Sequence, residues 1–208
     1  MAARGRPRSF DRQEALERAM ETFWALGYEG ASMAELTRAM GVASPSLYAA
    51  FGSKDELFRE AAKLYEEKAG ACMMAAVDAA PTARAACEAF LVTSAEALAR
   101  PGRPPGCMIV LTAAGTHNAA EQTREALKGR RAGPLGALTR RLEDAVASGE
   151  LPDGLDIAAI AAFFVTVQQG MSIQAVDGAT PEALGAIARA AMKAWDGLTS
   201  GPERSAAS

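Results

Sequence analysis

The stretch "SMAELTRAMGVASPSLYAAFGSKDE", residues 32–56, decides how the rest of the chain is read. Ser32 and Glu35 form a capping box, in which the serine oxygen takes a backbone N–H and the glutamate reaches back to the serine's own N–H. They open a helix of about two turns with Leu36 and Met40 facing inward, stopped at Gly41. Ser44 is the expected cap of the next short helix, with Pro45 at its first position, where a missing N–H costs nothing. Leu47 and Phe51 point inward from it. Ser53 and Glu56 repeat the capping box and begin a long helix expected to reach Ala79. Upstream, Leu16, Met20, Phe23 and Trp24 recur at helical spacing, which places an amphipathic helix over 11–26, stopped at Gly27.

Helical patterns continue to the C-terminus. A fifth helix is expected over 82–99, and the loop "RPGRPPG" (100–106) cannot be helical. Asn118 and Glu121 read as a cap pair for a helix on which Leu135, Leu138 and Leu142 share a face. Gly133–Pro134 should kink or split that helix. The last two helices are expected over 156–176 and 181–197, the latter capped by Thr180 with Pro181 at its first position. No stretch alternates as a strand would, so the fold class is all-α with about nine helices. The expected divisions are an N-terminal arm and head (1–53), a connecting helix (54–79), a second helical domain (80–197) and a tail (198–208).

A formal net charge of −3 argues against a generic polyanion binder. Its distribution says more. Arg4, Arg6, Arg8 and Arg12 stand against Asp11 alone in the first twelve residues, a basic arm on an acidic body. Cys72, Cys87 and Cys107 are odd in number and widely spaced, and read as reduced thiols of a cytoplasmic protein. The opening "MAARGRPRSF" has no apolar core of a leader peptide. The run 155–176 is interrupted by Asp156, Gln168, Gln169 and Gln174, and no membrane partner is expected. No nucleophile–base–orienter trio, metal-ligand cluster or phosphate-binding glycine motif is visible, so no catalytic residue, metal or cofactor is assigned. His117, the sole histidine, reads as a cap or surface residue.

Two short capped helices joined by a glycine turn and braced by a third make a helix-turn-helix over 32–51. Phe10, Ala15, Leu16, Ala19, Phe23, Gly27, Tyr28, Ser32, Leu36, Gly41, Val42, Ser46, Leu47, Tyr48, Phe51, Lys54, Leu57 and Phe58 form an ordered set. With it, residues 10–58 resemble the DNA-binding domain of the TetR family of transcriptional regulators. The resemblance implies an all-helical homodimer that inserts its third helix into the major groove of double-stranded DNA, and a C-terminal domain that holds a small-molecule effector.

On that third helix Ser44, Pro45, Tyr48 and Ala49 fall opposite Leu47 and Phe51. The hydroxyls of Ser44 and Ser46 can bond base edges or phosphates, and Pro45 and Ala49 can pack on thymine methyls. The resemblance gives Tyr48, Lys54 and Ser32 phosphate contacts. The arm arginines Arg4, Arg6 and Arg8 suit a narrow minor groove. Ala43, Ala49 and Ala50 depart from the larger or more polar residues of many members, which leaves direct base readout thin.

For the effector pocket the expected lining is Cys107, Met108, Leu111, Phe163, Phe164, Val167, Gln168 and Met171. Cys107 reads either as an inert thiol or as an electrophile or redox sensor. Ile173, Leu184, Ile187, Ala188, Ala191 and Trp195 are the expected dimer contacts, in a four-helix interface with the symmetry mates. The function expected is a repressor released from a palindromic operator by its effector. An activator, or a helical interaction module without DNA binding, is the alternative.

Overall fold

The computed structural model describes residues 10–112 and 116–200. Among them the secondary structure is entirely helical. The elements are α1 (Arg12–Gly30), α2 (Met33–Met40), α3 (Ser44–Phe51), α4 (Lys54–Tyr65), a π-helical segment (Glu66–Gly70) and α5 (Ala71–Asp78). They continue as α6 (Ala83–Leu98), α7 (Met108–Leu111), α8 (Glu121–Ala147), α9 (Ile157–Val176), α10 (Pro181–Met192) and α11 (Trp195–Thr199).

Both capping boxes form. Ser32 Oγ accepts from Glu35 N at 3.2 Å while Glu35 Oε2 accepts from Ser32 N at 3.0 Å. Ser53 and Glu56 do the same at 3.1 and 2.8 Å. Gly27 is non-helical (φ 70, ψ 174) and ends the regular part of α1, with one further turn beyond it. Thr180 caps α10 as its sequence implies, accepting from Ala183 N at 3.3 Å.

Five local expectations are corrected. Helix α3 starts one residue early, with Ala43 as its cap residue, so Ser44 makes no capping bond and stands exposed. Asn118 is not a cap either: α8 begins after Ala120, and Asn118 donates instead to Glu29 from its backbone N (3.0 Å) and its Nδ2 (3.2 Å). Helix α8 runs unbroken through Gly133–Pro134. A proline removes one i to i−4 bond, here to the Arg130 carbonyl; packing on α4, α6 and α9 holds the helix together across it. The long connecting helix is interrupted by the π-helical turn, and the final helix divides into α10 and α11.

Two hydrophobic cores result. The first joins α1–α4 around Phe23, Phe58 and Trp24 and takes in Met108, Ile109, Ala119 and Leu127 from later in the chain. Phe23 and Trp24 meet Phe58 and Tyr65 edge-on, each at 4.9 Å between ring centroids, geometry that aromatic quadrupoles favour. The second core joins α6, α8, α9 and α10, with Phe90, Phe164, Leu138, Leu142 and Leu184 fully buried. By length and hydropathy α9 could cross a bilayer. In the fold it buries Ile160, Phe164, Val165, Met171 and Ala175 in this core.

Candidate nucleic-acid interface and ligand cavity

Helix α3 sits over a sealed core. Leu47 and Phe51 are buried beneath it, while Ser44, Pro45 and Ala49 are exposed, Ser46 is half-buried and Tyr48 is 51% exposed. An aromatic left half in water on a short helix has no packing role here, so this face is available to a partner. Arg12 belongs to the scaffold: it pairs with Glu60 at 2.8 Å, and its guanidinium lies 4.3 Å from the centroid of the Phe51 ring. That ties α1 to the end of α3 and to α4, and it withdraws one charge from the basic arm. Arg4, Arg6 and Arg8 lie outside the described residues.

Lys54 opens α4 beside this face. Its ammonium stands 4.5 Å from the Tyr28 ring centroid, a cation–π contact. Burial lowers its pKa, against the opposing pull of Glu29, Asp55 and Glu35. Ser32 is exposed at the start of α2, but its hydroxyl is engaged with Glu35, so only the helix N-terminus itself remains to meet an anion there.

Three side chains tie this head to the start of α8. Glu29 holds Asn118, Asp55 accepts from Ala120 N at 2.9 Å, and Arg59 donates to Gln122 at 3.1 Å. Burial alone would raise the Asp55 carboxyl; its hydrogen bonds and nearby Arg59 outweigh that and hold its pKa below the ordinary aspartate range. A depressed carboxylate stabilises above its unfolded pKa, about 4, and that contribution vanishes as pH falls through the folded value. Asp55→Asn is therefore expected to be less stable than the parent at neutral pH, with the gap closing below about pH 4. Denaturant titrations at neutral and acid pH check this; a gap of equal size at both would show that the charge plays no part.

A cavity of about 400 Å³ lies under the connecting helix. Tyr65, Glu66, Gly70, Ala71, Met73 and Met74 form one wall, and α8 forms another with Arg130, Arg131, Gly133, Pro134, Ala137 and Arg140. Cys107, Ile109, Val110, Val165, Gln168 and Gln169 complete it. The Tyr65 phenol faces Cys107, and burial pushes its pKa well above the ordinary tyrosine value. Of the eight residues expected here, Cys107 and Gln168 reach the wall. Met108, Phe164 and Met171 are fully buried in the cores. Leu111 is directed toward Gly106, and Phe163 and Val167 pack against the second core. Sequence reading missed the α8 wall, although Arg130, Pro134, Ala137 and Arg140 recur at helical spacing.

The expected dimer contacts also change. Leu184, Ala188, Ala191 and Trp195 are buried within the chain's own core, and Ile187 is half-buried. Ile173 is 54% exposed on α9. Ala159, Ala162, Thr166, Gly170 and Ile173 make an exposed line of mostly small residues along α9, and Ala183, Ala186 and Ala190 are exposed on α10.

Comparison with known proteins agrees with this layout. Residues 15–61 match the family of bacterial regulatory proteins described as tetR, and residues 79–192 match the tetracyclin repressor-like C-terminal domain. The chain is 34% identical over 203 residues to the HTH-type transcriptional repressor ComR of Escherichia coli (strain K12), covering 94% of each chain. It is 33% identical over 121 residues to the HTH-type transcriptional repressor BdcR of the same organism, 58% of this chain and 60% of that one. A solved structure of the TetR family regulator CifR, a cysteine mutant complexed with 26-bp double-strand operator DNA, superposes with a TM-score of 0.86. That match has 42% identity and covers 91% of this chain and 100% of the other.

Proposed function

This chain belongs to the TetR family of DNA-binding transcriptional regulators, and we propose that it is a cytoplasmic repressor that leaves its operator when a small molecule fills the cavity. It acts as a homodimer, pairing through α9 and α10, on an operator with two-fold symmetry. Residues 1–53 serve as arm and reading head, 54–79 as lever, and 80–197 as sensor and dimer base. The relatives named as repressors support the direction of the effect, and the operator complex of the regulator CifR supports the DNA partner.

The observation that carries this reading is the path of one helical rod. It begins at Lys54 beside the exposed face of α3 and reaches the cavity at Tyr65 and Glu66, about 18 Å further along. The π-helical turn sits at the cavity wall. Such turns mark places where a helix departs from its regular ladder, so a ligand pressing there can tilt the rod and change the spacing of two heads. A differential affinity of a few kcal/mol is enough to move the population.

In DNA contact, Lys54, Tyr48 and the α2 N-terminus grip phosphates, Arg4, Arg6 and Arg8 enter the minor groove, and Ser44, Pro45, Ser46 and Ala49 face the bases. Operator titrations followed by fluorescence anisotropy across a salt series test the scheme. Tyr48→Ala is expected to weaken binding roughly 10-fold or more while leaving the melting temperature unchanged. Alanine at Arg4, Arg6 and Arg8 is expected to flatten the salt slope by about 0.9 for each phosphate charge no longer neutralised. Unaltered operator affinity in both variants would remove the contact scheme.

A further inference from the structure

The cavity has a mostly apolar lining, yet it holds more positive charge than the chain neutralises. Arg130 pairs with Glu66. Arg131 has neither an ion pair nor a hydrogen bond among the described residues, and its Nη1 is fully buried at this wall. Across the cavity Gln168, on α9, is only 8% exposed and also lacks a hydrogen-bond partner among them. A buried donor without an acceptor destabilises the fold, more so when it is charged. The buried Arg131 Nη1, with the Gln168 amide on a second helix lining the same cavity, describes a site suited to an acceptor.

The geometry points to an anionic effector: an amphiphile with an apolar body and a single carboxylate, taken by the guanidinium of Arg131 and the amide of Gln168. Its body lies along Met73, Met74, Ile109 and Val165. This inference rests on the ligand-response reading and gives it a chemical class. A planar guanidinium fork matches a carboxylate in shape, and the volume and apolar lining suit a compact organic acid. The same charge reaches the lever. An anion beside Arg131 competes for its neighbour Arg130, and so loosens Glu66 within the π-helical segment.

Calorimetry on the full-length protein tests this with octanoate and phenylacetate against their uncharged counterparts, octanamide and phenylacetamide. At least one acid is expected to bind roughly 10- to 100-fold tighter than its amide. Arg131→Gln should erase that preference, and Arg131→Lys should keep part of it. In the empty protein neither variant should lose stability, since no protein contact to the guanidinium is removed. Equal affinity for acid and amide, unchanged acid affinity in Arg131→Gln, or binding of neither series overturns the anionic site. Operator anisotropy in the same samples separates the two claims. Amides that bind and release DNA leave ligand response standing without the carboxylate. Acids held by Arg131 that leave operator affinity unmoved support the site and remove ligand response.

Discussion

Gly106→Ala is expected to cost the folded chain about 2–5 kcal/mol, the sum of two effects. Its φ of +79 lies in the left-handed region, where a side chain costs about 1–2 kcal/mol. A Cβ there would also stand 2.8 Å from the Ser172 carbonyl oxygen and 2.7 Å from Leu111 Cδ1. The first of these is backbone of α9 and cannot swing aside, so overpacking adds about 1–3 kcal/mol. The position is a junction as well. Trp24 Nε1 donates to the Gly106 carbonyl at 3.0 Å, Gly106 N donates to Leu98 O at 2.8 Å, and Cys107 N donates to Ser172 Oγ at 2.7 Å. A shift there pulls the reading head away from the sensor. Thermal melts at fixed protein concentration should show a drop of about 4–20 °C. Gly102→Ala is the control: its φ is the same, +79, but nothing lies within 4 Å of the added carbon. Equal losses at the two positions would mean that the clash with α9 does not matter.

Gly170→Arg addresses the assembly. Gly170 is exposed on α9, and a Cβ there meets nothing within 4 Å, so the single chain has room for a side chain. If α9 packs on its symmetry mate, the small line Ala162, Thr166, Gly170 is where the two helices approach most closely. A guanidinium placed there is buried without a partner, a severe penalty. The expected result is a folded monomer by sedimentation and a loss of operator affinity of about 100-fold or more, because linked engagement of the two half-sites is lost. A variant that stays dimeric would put the interface elsewhere.

The parts of this molecule that read well from sequence are those set by near neighbours. Ser32 with Glu35, and Ser53 with Glu56, specify helix starts within four residues, and both formed. Tyr48, expected on the exposed face of the third helix, is indeed exposed there. The cavity is different in kind: it exists because α8 brings Arg130 against Glu66, more than sixty residues earlier. Phe163 and Phe164 drew attention because they are large and apolar. Those properties sent Phe164 into the core, and the pocket wall fell to methionines, valines and arginines. Leu184, Ala188 and Trp195, expected as dimer contacts, are likewise buried inside the chain, and small residues are left exposed on α9 and α10. The π-helical turn at "EEKAG" carries no proline and no special pairing to announce it.

The most direct test of the whole account is nuclease footprinting, at modest ionic strength, of the DNA upstream of the protein's own gene. The account predicts two protected half-sites, inverted relative to each other and centred about 34–36 Å apart or a multiple of it, with protection lost when the cavity is filled. Uniform cleavage across the fragment, or a lone protected patch without two-fold symmetry, would contradict it.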